Sequence, residues 1–352
     1  MNLKADLREL SPAYFALIMS TGILSMAFNL LNYHSLAVIM TGLNNFQFVV
    51  LLILYLLRLL LFFPQVKEDF RSNEKGPGFL TIVAGSGVLG VQNTLIMQWK
   101  PASLILWGFA LLVWAFLVYS FLTVMITKGE KPAMPKVVNG AWLLFTVSTQ
   151  SLAILGVTLL PANGLSLPAV LFSSLSLFFL AVLLYVLMLS LILLRLVLEP
   201  LKPDEFKPPY WVLMGAAAIS SLSAATLIEK INTTEYFLQF IPALNAASLA
   251  LWSAATWLIP LLIILEGWRH LLKKVALKYD PSYWDTVFTL GMYTTATFRL
   301  AKLLDVNFLT TIPEVFIYIA AAAWVLTFAG MFASFFKAAP GGSQLNTTST
   351  KH

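Results

Sequence analysis

No cysteine occurs in the 352 residues, which excludes disulfides, thiolate metal sites and cysteine nucleophiles and says nothing about compartment. Charge is scarce too. Asp, Glu, Lys and Arg make up 11% of the chain, against about 25% in a soluble domain. The three histidines, His34, His270 and His352, are scattered. There is no His-Glu-x-x-His pair, no pair of aspartates deep in an apolar run and no Walker-type phosphate loop, so no enzyme activity, no ATP use, no bound metal and no cofactor are expected. Acidic residues are the rarer sign, 16 against 22 Lys and Arg. All of them fall in loops, tails or the end turns of apolar runs, Glu229, Glu266, Asp285, Asp305 and Glu314 among them.

What is present is hydrophobic. Apolar residues reach 59% and the mean hydropathy is +0.84. Burying that much apolar surface requires lipid as solvent, and a spanning helix needs roughly 20 apolar residues. Ten such runs occur, at 11–32, 36–64, 78–98, 101–127, 136–160, 166–198, 209–229, 243–272, 281–304 and 310–337. The first follows Lys4 and Arg8 as a signal peptide would, but it is longer than the roughly 7–15 residues of a signal core. It is read as a retained span. The spanning domain is 1–339, and the Gly/Ser/Thr-rich tail 340–352 is expected to be disordered.

Eighteen of the 22 Lys and Arg fall on one side of this arrangement. Only Lys100, Lys230, Arg299 and Lys302 fall on the other. The positive-inside rule then places both termini in the cytoplasm of a multi-pass protein of the cell membrane, and the even number of spans fits. The net charge of +6 is read as this excess and not as a nucleic-acid surface. Arg58 and Arg195 lie inside apolar runs near their cytoplasmic ends and are expected to snorkel to the surface.

The odd-numbered segments share an opening. They begin near Pro12-Ala13-Tyr14-Phe15, Gly76-Pro77-Gly78-Phe79, Pro135 with Trp142, Pro208-Pro209-Tyr210-Trp211, and Pro281-Ser282-Tyr283-Trp284. Proline suits a first helical turn, where its missing amide costs nothing, and aromatics suit the interface. In eighteen-residue central windows the odd segments hold four to six Gly, Ser or Thr and the even ones zero to three. This alternation predicts five hairpins with pseudo-five-fold symmetry, an inner ring of odd helices around a path, and an outer layer facing lipid. The candidate lining residues are Met19, Ser20, Thr21 and Gly22 on the first segment, Gly85 and Ser86 on the third, and Thr146 and Thr149 on the fifth. Ser220 and Ser221 follow on the seventh, and Leu290, Gly291, Thr294 and Thr295 on the ninth. Gln92, Asn93 and Gln150 are polar at depth, facing either solute or a neighbouring helix.

Such a ring would favour anions. Five helix amino ends, each carrying about half a positive charge, would face the cytoplasmic mouth. Lys67, Lys75, Lys131, Lys136, Lys202, Lys207, Lys274 and Lys278 would rim it. Arg299, on the outer half of the ninth segment, is the candidate for attracting anions on the other side. Proton-coupled carriers and cation pumps usually keep a carboxylate at depth. None lies at a segment midpoint here, so passive movement is expected.

The ninth segment, Trp284-Asp285-Thr286-Val287-Phe288-Thr289-Leu290-Gly291, resembles the tellurite-resistance/dicarboxylate transporter family. That family includes plant slow anion channels and fungal malate and sulfite transporters. The first segment, Pro12 to Ser25, is similar to that family's opening. The resemblance implies ten helices as five hairpins, three chains per trimer with one pore each, and Phe288 as the ring that occludes the pore. The family's proline after that phenylalanine is Thr289 here, so the kink that proline would impose is missing. The expected function is passive passage of a small anion of the chloride, nitrate or dicarboxylate class through a bilayer. The alternative is a carrier for malate-like acids or sulfite, with or without proton linkage.

Overall fold

The computed structural model describes residues 3–129, 138–160 and 166–337, and all of their regular structure is helical. The segments 130–137 and 338–352, with them Lys131, Pro135, Lys136 and the expected disordered tail, lie outside the described residues. A short α1 (Leu3–Arg8) leads into α2 (Ala16–Leu30) and α3 (His34–Leu61), and α4 (Phe63–Arg71) precedes α5 (Thr81–Leu95) and α6 (Lys100–Thr127). After them come α7 (Leu144–Thr158), α8 (Leu167–Leu198), α9 (Val212–Ile231), α10 (Ile241–Gly267), α11 (Tyr283–Leu304) and α12 (Thr311–Lys337). Among the described residues, nine helices are long and apolar enough to cross a membrane. α11 has the length, 22 residues, but it carries Asp285, Arg299, Lys302 and a run of threonines that dilute its hydropathy.

Tertiary contacts sort these helices into two layers. α2 packs on α5, α5 on α7, α7 on α9, α9 on α11, and α11 back on α2, which closes a ring. Each ring helix also packs against the long helix that follows it, α3, α6, α8, α10 or α12. Burial follows the same division. The most apolar stretches of the first four ring helices are 72–100% buried, and those of the five outer helices only 17–39%. Leu60, Ile105, Leu112, Leu183, Trp257 and Leu326 give the outer layer its exposed apolar coat. In water that coat would be a vast unpaired patch, and in hydrocarbon it is solvated. The poverty of Gly, Ser and Thr in the outer helices and their abundance in the ring have the same origin, because small residues let ring backbones approach. Gly291 faces Ile23 across α2 and α11, Gly215 faces Thr289 across α9 and α11, and Gly85 faces the Phe15 carbonyl across α2 and α5.

Four ring helices open with a 3-10 turn, at Pro12–Phe15, Gly76–Leu80, Gly140–Leu143 and Pro208–Trp211. Three of these carry proline at the first positions. In the fourth, Asn139 caps instead, its Oδ1 accepting from the Ala141 amide at 2.9 Å. Successive turns touch one another, and the last touches α11. All five ring helices therefore start at one face of the molecule. Gly140 sits at the tightest of these meetings, where an added methyl would collide with the Pro209 carbonyl and the Tyr210 amide. Backbone cannot step aside as a flexible side chain can. Gly140→Ala should cost about 1–3 kcal/mol, the usual price of overpacking, and lower the melting temperature in detergent. A melting curve like that of the wild type would show room between the two turns.

Two sequence expectations are corrected here. Arg58 and Arg195 do not snorkel, and their side chains are 3% and 1% exposed. Arg58 donates to the Arg8 carbonyl at 3.1 Å and pairs with Asp69 of α4, which Lys75 also reaches at 2.9 Å. Arg195 pairs with Glu205 at 2.7 Å. The reason is local topology. α4 and the segment after α8 fold back over the ends of α3 and α8 and bring carboxylates to arginines that hydropathy alone would send to the surface.

Candidate functional site: a ring hollow at both ends

Each end of the ring encloses a cavity. The one at the starting face, about 590 Å³, is lined by the openings of the ring helices: Ser11 to Ala13, Gly78, Gly140, Ala141, Leu144, Pro209, Tyr210, Ser282 and Asp285. The far cavity, about 340 Å³, is lined by later residues of all five ring helices, including Met26, Asn29, Val88, Ser151, Ile154, Ile219, Leu222, Met292, Thr295 and Arg299. Between the two the ring is closed. On α7 the last residue of the first cavity is Leu144 and the first residue of the second is Ser151, and on α11 they are Asp285 and Met292. Seven residues of helix rise about 10 Å, which is the thickness of the closed zone along these two helices.

Helical phase identifies what fills that zone. At about 100° per residue, Asp285, Phe288, Met292, Thr295 and Arg299 fall within an arc of about 80°. Asp285 lines one cavity and the last three line the other, so Phe288 is the residue of that arc between them. It is fully buried. By the same phase relation Val147 sits between Leu144 and Ser151 on α7, and Met19 between Pro12 and Met26 on the first segment. Both are fully buried.

Most of the other sequence-derived candidates turn to neighbouring helices. Ser20 donates to the Trp284 carbonyl at 2.6 Å. Thr21 accepts from the Trp324 indole at 3.0 Å, and Thr149 from the Trp114 indole at 2.9 Å. Ser221 bonds the Ser248 carbonyl at 2.9 Å. Gly22 faces Val88, Asn44 and Gln92, and Leu290 packs with Leu24, Met40 and Ile317. Ser86, Ser220 and Thr294 bond back to carbonyls of their own helices. Thr146 is buried with its hydroxyl unpartnered. Of the candidate lining residues and the candidate outer anion attractor, Thr295 and Arg299 line a cavity. The physical reason is donor scarcity. An indole N–H of an outer helix finds no water in hydrocarbon and needs an acceptor, and a ring hydroxyl supplies it. Gln92 and Asn93 are used in the same way, against Asn44 at 2.8 Å and Asn45 at 3.0 Å of α3. Gln150 donates to the Phe178 carbonyl at 3.4 Å.

The charges differ at the two ends. In the far cavity Arg299 and Lys230 face one acid, Glu229, which Arg299 holds at 2.8 Å. Lys230 donates to the Leu160 carbonyl at 2.7 Å. The starting-face cavity was expected to carry a lysine rim. Of the described lysines only Lys75 and Lys207 line it, joined by Arg195. Each is engaged, Lys75 by Asp69, Lys207 by Glu74 at 2.6 Å and Arg195 by Glu205. Five acids line the same cavity, Glu74, Asp204, Glu205, Asp280 and Asp285. Sequence reasoning counted lysines near the mouth but could not see that neighbouring loop carboxylates fold in beside them.

Sequence reasoning also missed Val147 and Asp285. The signal for Val147 was its phase relation to Leu144 and Ser151. The signal for Asp285 was its place one turn before Phe288, which put it on the same arc and not on a loop.

A closed ring of buried helices inside an apolar coat, hollow at both ends, defines a multi-pass membrane protein of the transporter class. The chain belongs to the voltage-dependent anion channel family (SLAC1), whose family model matches residues 9–332. Members are channels and transporters, and this protein is not an enzyme. An uncharacterised membrane protein of Mycobacterium tuberculosis is 36% identical over 148 residues, covering 42% of this chain and 75% of the relative. Two uncharacterised transporters of Methanocaldococcus jannaschii match over almost the whole chain. One is 21% identical over 92% of this chain and 94% of its own length, the other 22% identical over 91% and 92%.

Proposed function

We propose that the five-helix ring is a path for small anions, closed in this conformation by Phe288, and that anions cross it passively once the ring of that side chain turns aside. The observation that carries this reading is the pair of cavities on one axis with Phe288 on the shared arc between them. An apolar constriction of this kind excludes water and ions by dewetting. The ring contacts support α11 as a tenth span and a pseudo-five-fold arrangement of hairpins. The bias of Lys and Arg supports a starting face in the cytoplasm of the cell membrane, and the family resemblance supports three such chains per assembly. The reading is tested in liposomes containing the purified protein, with chloride, nitrate and malate as permeants. Currents should reverse near the anion equilibrium potential. Uptake that saturates and carries no current would replace the channel with a carrier.

That second reading has its own support. The far cavity is within the size range of small-ligand sites, about 300–1,000 Å³, and its lining includes Arg299 and Lys230 against the single acid Glu229. A dicarboxylate would find charge-assisted partners there. Arg299→Gln is expected to weaken malate over chloride by about tenfold, the scale of one charge-assisted hydrogen bond. Competition between the two anions in the flux assay measures it, and an unaltered preference would remove Arg299 from the path.

A further inference from the structure

Asp285 lies in the first turn of α11, 1% exposed. Its Oδ1 meets no hydrogen-bond donor, and none of the described ion pairs includes it. It lines the starting-face cavity, one turn before Phe288. A carboxylate stripped of water and given no cation carries its charge at a cost that the amides of a helix's first turn do not repay. Of the other acids of this cavity, Glu74 holds Lys207, Glu205 holds Arg195, Asp280 caps the Ser282 amide at 2.8 Å, and Asp204 is exposed to water. Among the acids of this cavity Asp285 alone is both buried and without an ion pair among the described residues.

We propose that Asp285 is a proton-binding site on the conduction path, and that its proton sets whether anions reach Phe288. The proposal rests on the ring being an anion path. The chemistry is one reversible step. A proton from water in the starting-face cavity joins the carboxylate oxygen and the fixed negative charge disappears. Its return to that water restores the charge, which repels an approaching anion. Access of anions to the gate therefore rises with acidity on the starting-face side.

The groups facing Asp285 are few. Asp280, in the segment before α11, adds negative charge beside it. The turn Pro12–Phe15 brings Tyr14, and the turn Pro208–Trp211 brings Tyr210. Tyr279 precedes Asp280, and its phenol is pushed above the ordinary range by burial and by Tyr14 beside it. α2 carries no titratable side chain. α9 carries Glu229 and Lys230, both in the far cavity. α10 carries Glu266, which accepts from Trp211 at 3.1 Å, and the helical turn after it carries Arg269 and His270, both held by Glu266. α12 brings Glu314 in its first turn, and the 3-10 turn Asn307–Thr310 brings none. The remaining charges of the cavity are Glu74, Lys75, Arg195, Asp204, Glu205 and Lys207. None of the bases among these is free to neutralise Asp285.

The test is anion flux in liposomes at acidic and at alkaline pH on the starting-face side, for the wild type, Asp285→Asn and Phe288→Ala. A unit charge within about 10 Å of the path, at an effective dielectric near 20, changes anion access on the order of tenfold. The wild type should gain about that factor on acidification. Asp285→Asn should show the acidic flux at both pH values. A wild type indifferent to pH, or an Asp285→Asn variant that keeps the wild-type response, overturns the proposal. If Asp285→Asn does not fold, Asp285→Glu takes its place, and its pH midpoint must move; an unmoved midpoint overturns the proposal equally. In the wild type, infrared spectra should show the carbonyl stretch of a protonated carboxyl group, absent from Asp285→Asn, and this band should titrate over the same pH range as the flux, which a merely structural role would not produce. Phe288→Ala separates the two readings. If it raises flux while pH has no effect on the wild type, the proton site fails and the path stands. If no variant passes anions, the path itself fails.

Discussion

Replacing Phe288 with Ala is expected to raise anion flux by about tenfold or more, the factor that follows from lowering the barrier by ~1.4 kcal/mol. The side chain is fully buried on the arc that joins the two cavities, so its removal merges them across a closed zone about 10 Å thick. Water enters a wider, shorter constriction, and with water an anion keeps its hydration. The competing view treats Phe288 as ordinary core. It then predicts only lost stability, about 3–5 kcal/mol for a buried Phe→Ala, and no gain in flux. Measuring flux and melting temperature on the same preparation separates the two. A folded Phe288→Ala protein with wild-type flux would remove Phe288 from the gate. Phe288→Leu should fall between, since it shortens the plug without emptying it. Thr289 bears on the same point. Its hydroxyl bonds back to the Asp285 carbonyl at 2.7 Å, and α11 runs from Tyr283 to Leu304 without the break that a proline would make.

The second large effect concerns stability. Asp69→Ala is expected to cost about 3–5 kcal/mol, the scale for removing one partner of a buried pair. Arg58 is 3% exposed, and without Asp69 its guanidinium keeps only the Arg8 carbonyl. One of its nitrogens is already unpartnered. Lys75 would lose its carboxylate as well, but it is half-exposed and water compensates it. Melting in detergent should shift downward by several degrees. The double variant Arg58→Leu with Asp69→Leu should recover most of the loss, because an apolar pair of similar volume need not be less stable than a buried ion pair. If Asp69→Ala melts as the wild type does, water reaches Arg58 and the pair is a surface one.

Much of the architecture was legible in the chain. Hydropathy located the long helices to within a few residues, as the matching ends of 101–127 and α6 show. First-turn prolines marked where three of the ring helices begin, and the Gly, Ser and Thr counts separated the two layers. These signals are additive and local, so a window along the sequence records them. The site was less legible. Small polar residues were read as lining because they are rare in membrane helices, yet Thr21, Thr149 and Ser221 serve the outer helices instead. Composition tells that a helix has hydroxyls and not which way they point.

The sequence by itself determined a multi-pass helical membrane protein, the alternation of buried and lipid-facing helices, and the kinship carried by the first and ninth segments. Only the tertiary structure decided that α11 closes the ring on α2, that Arg58 and Arg195 are paired and buried, and that Asp285 sits beneath Phe288. The division has one cause. Partition between water and lipid depends on each segment's own composition, whereas facing direction, burial of a single charge and the meeting of loops depend on rotations about helix axes that packing alone settles.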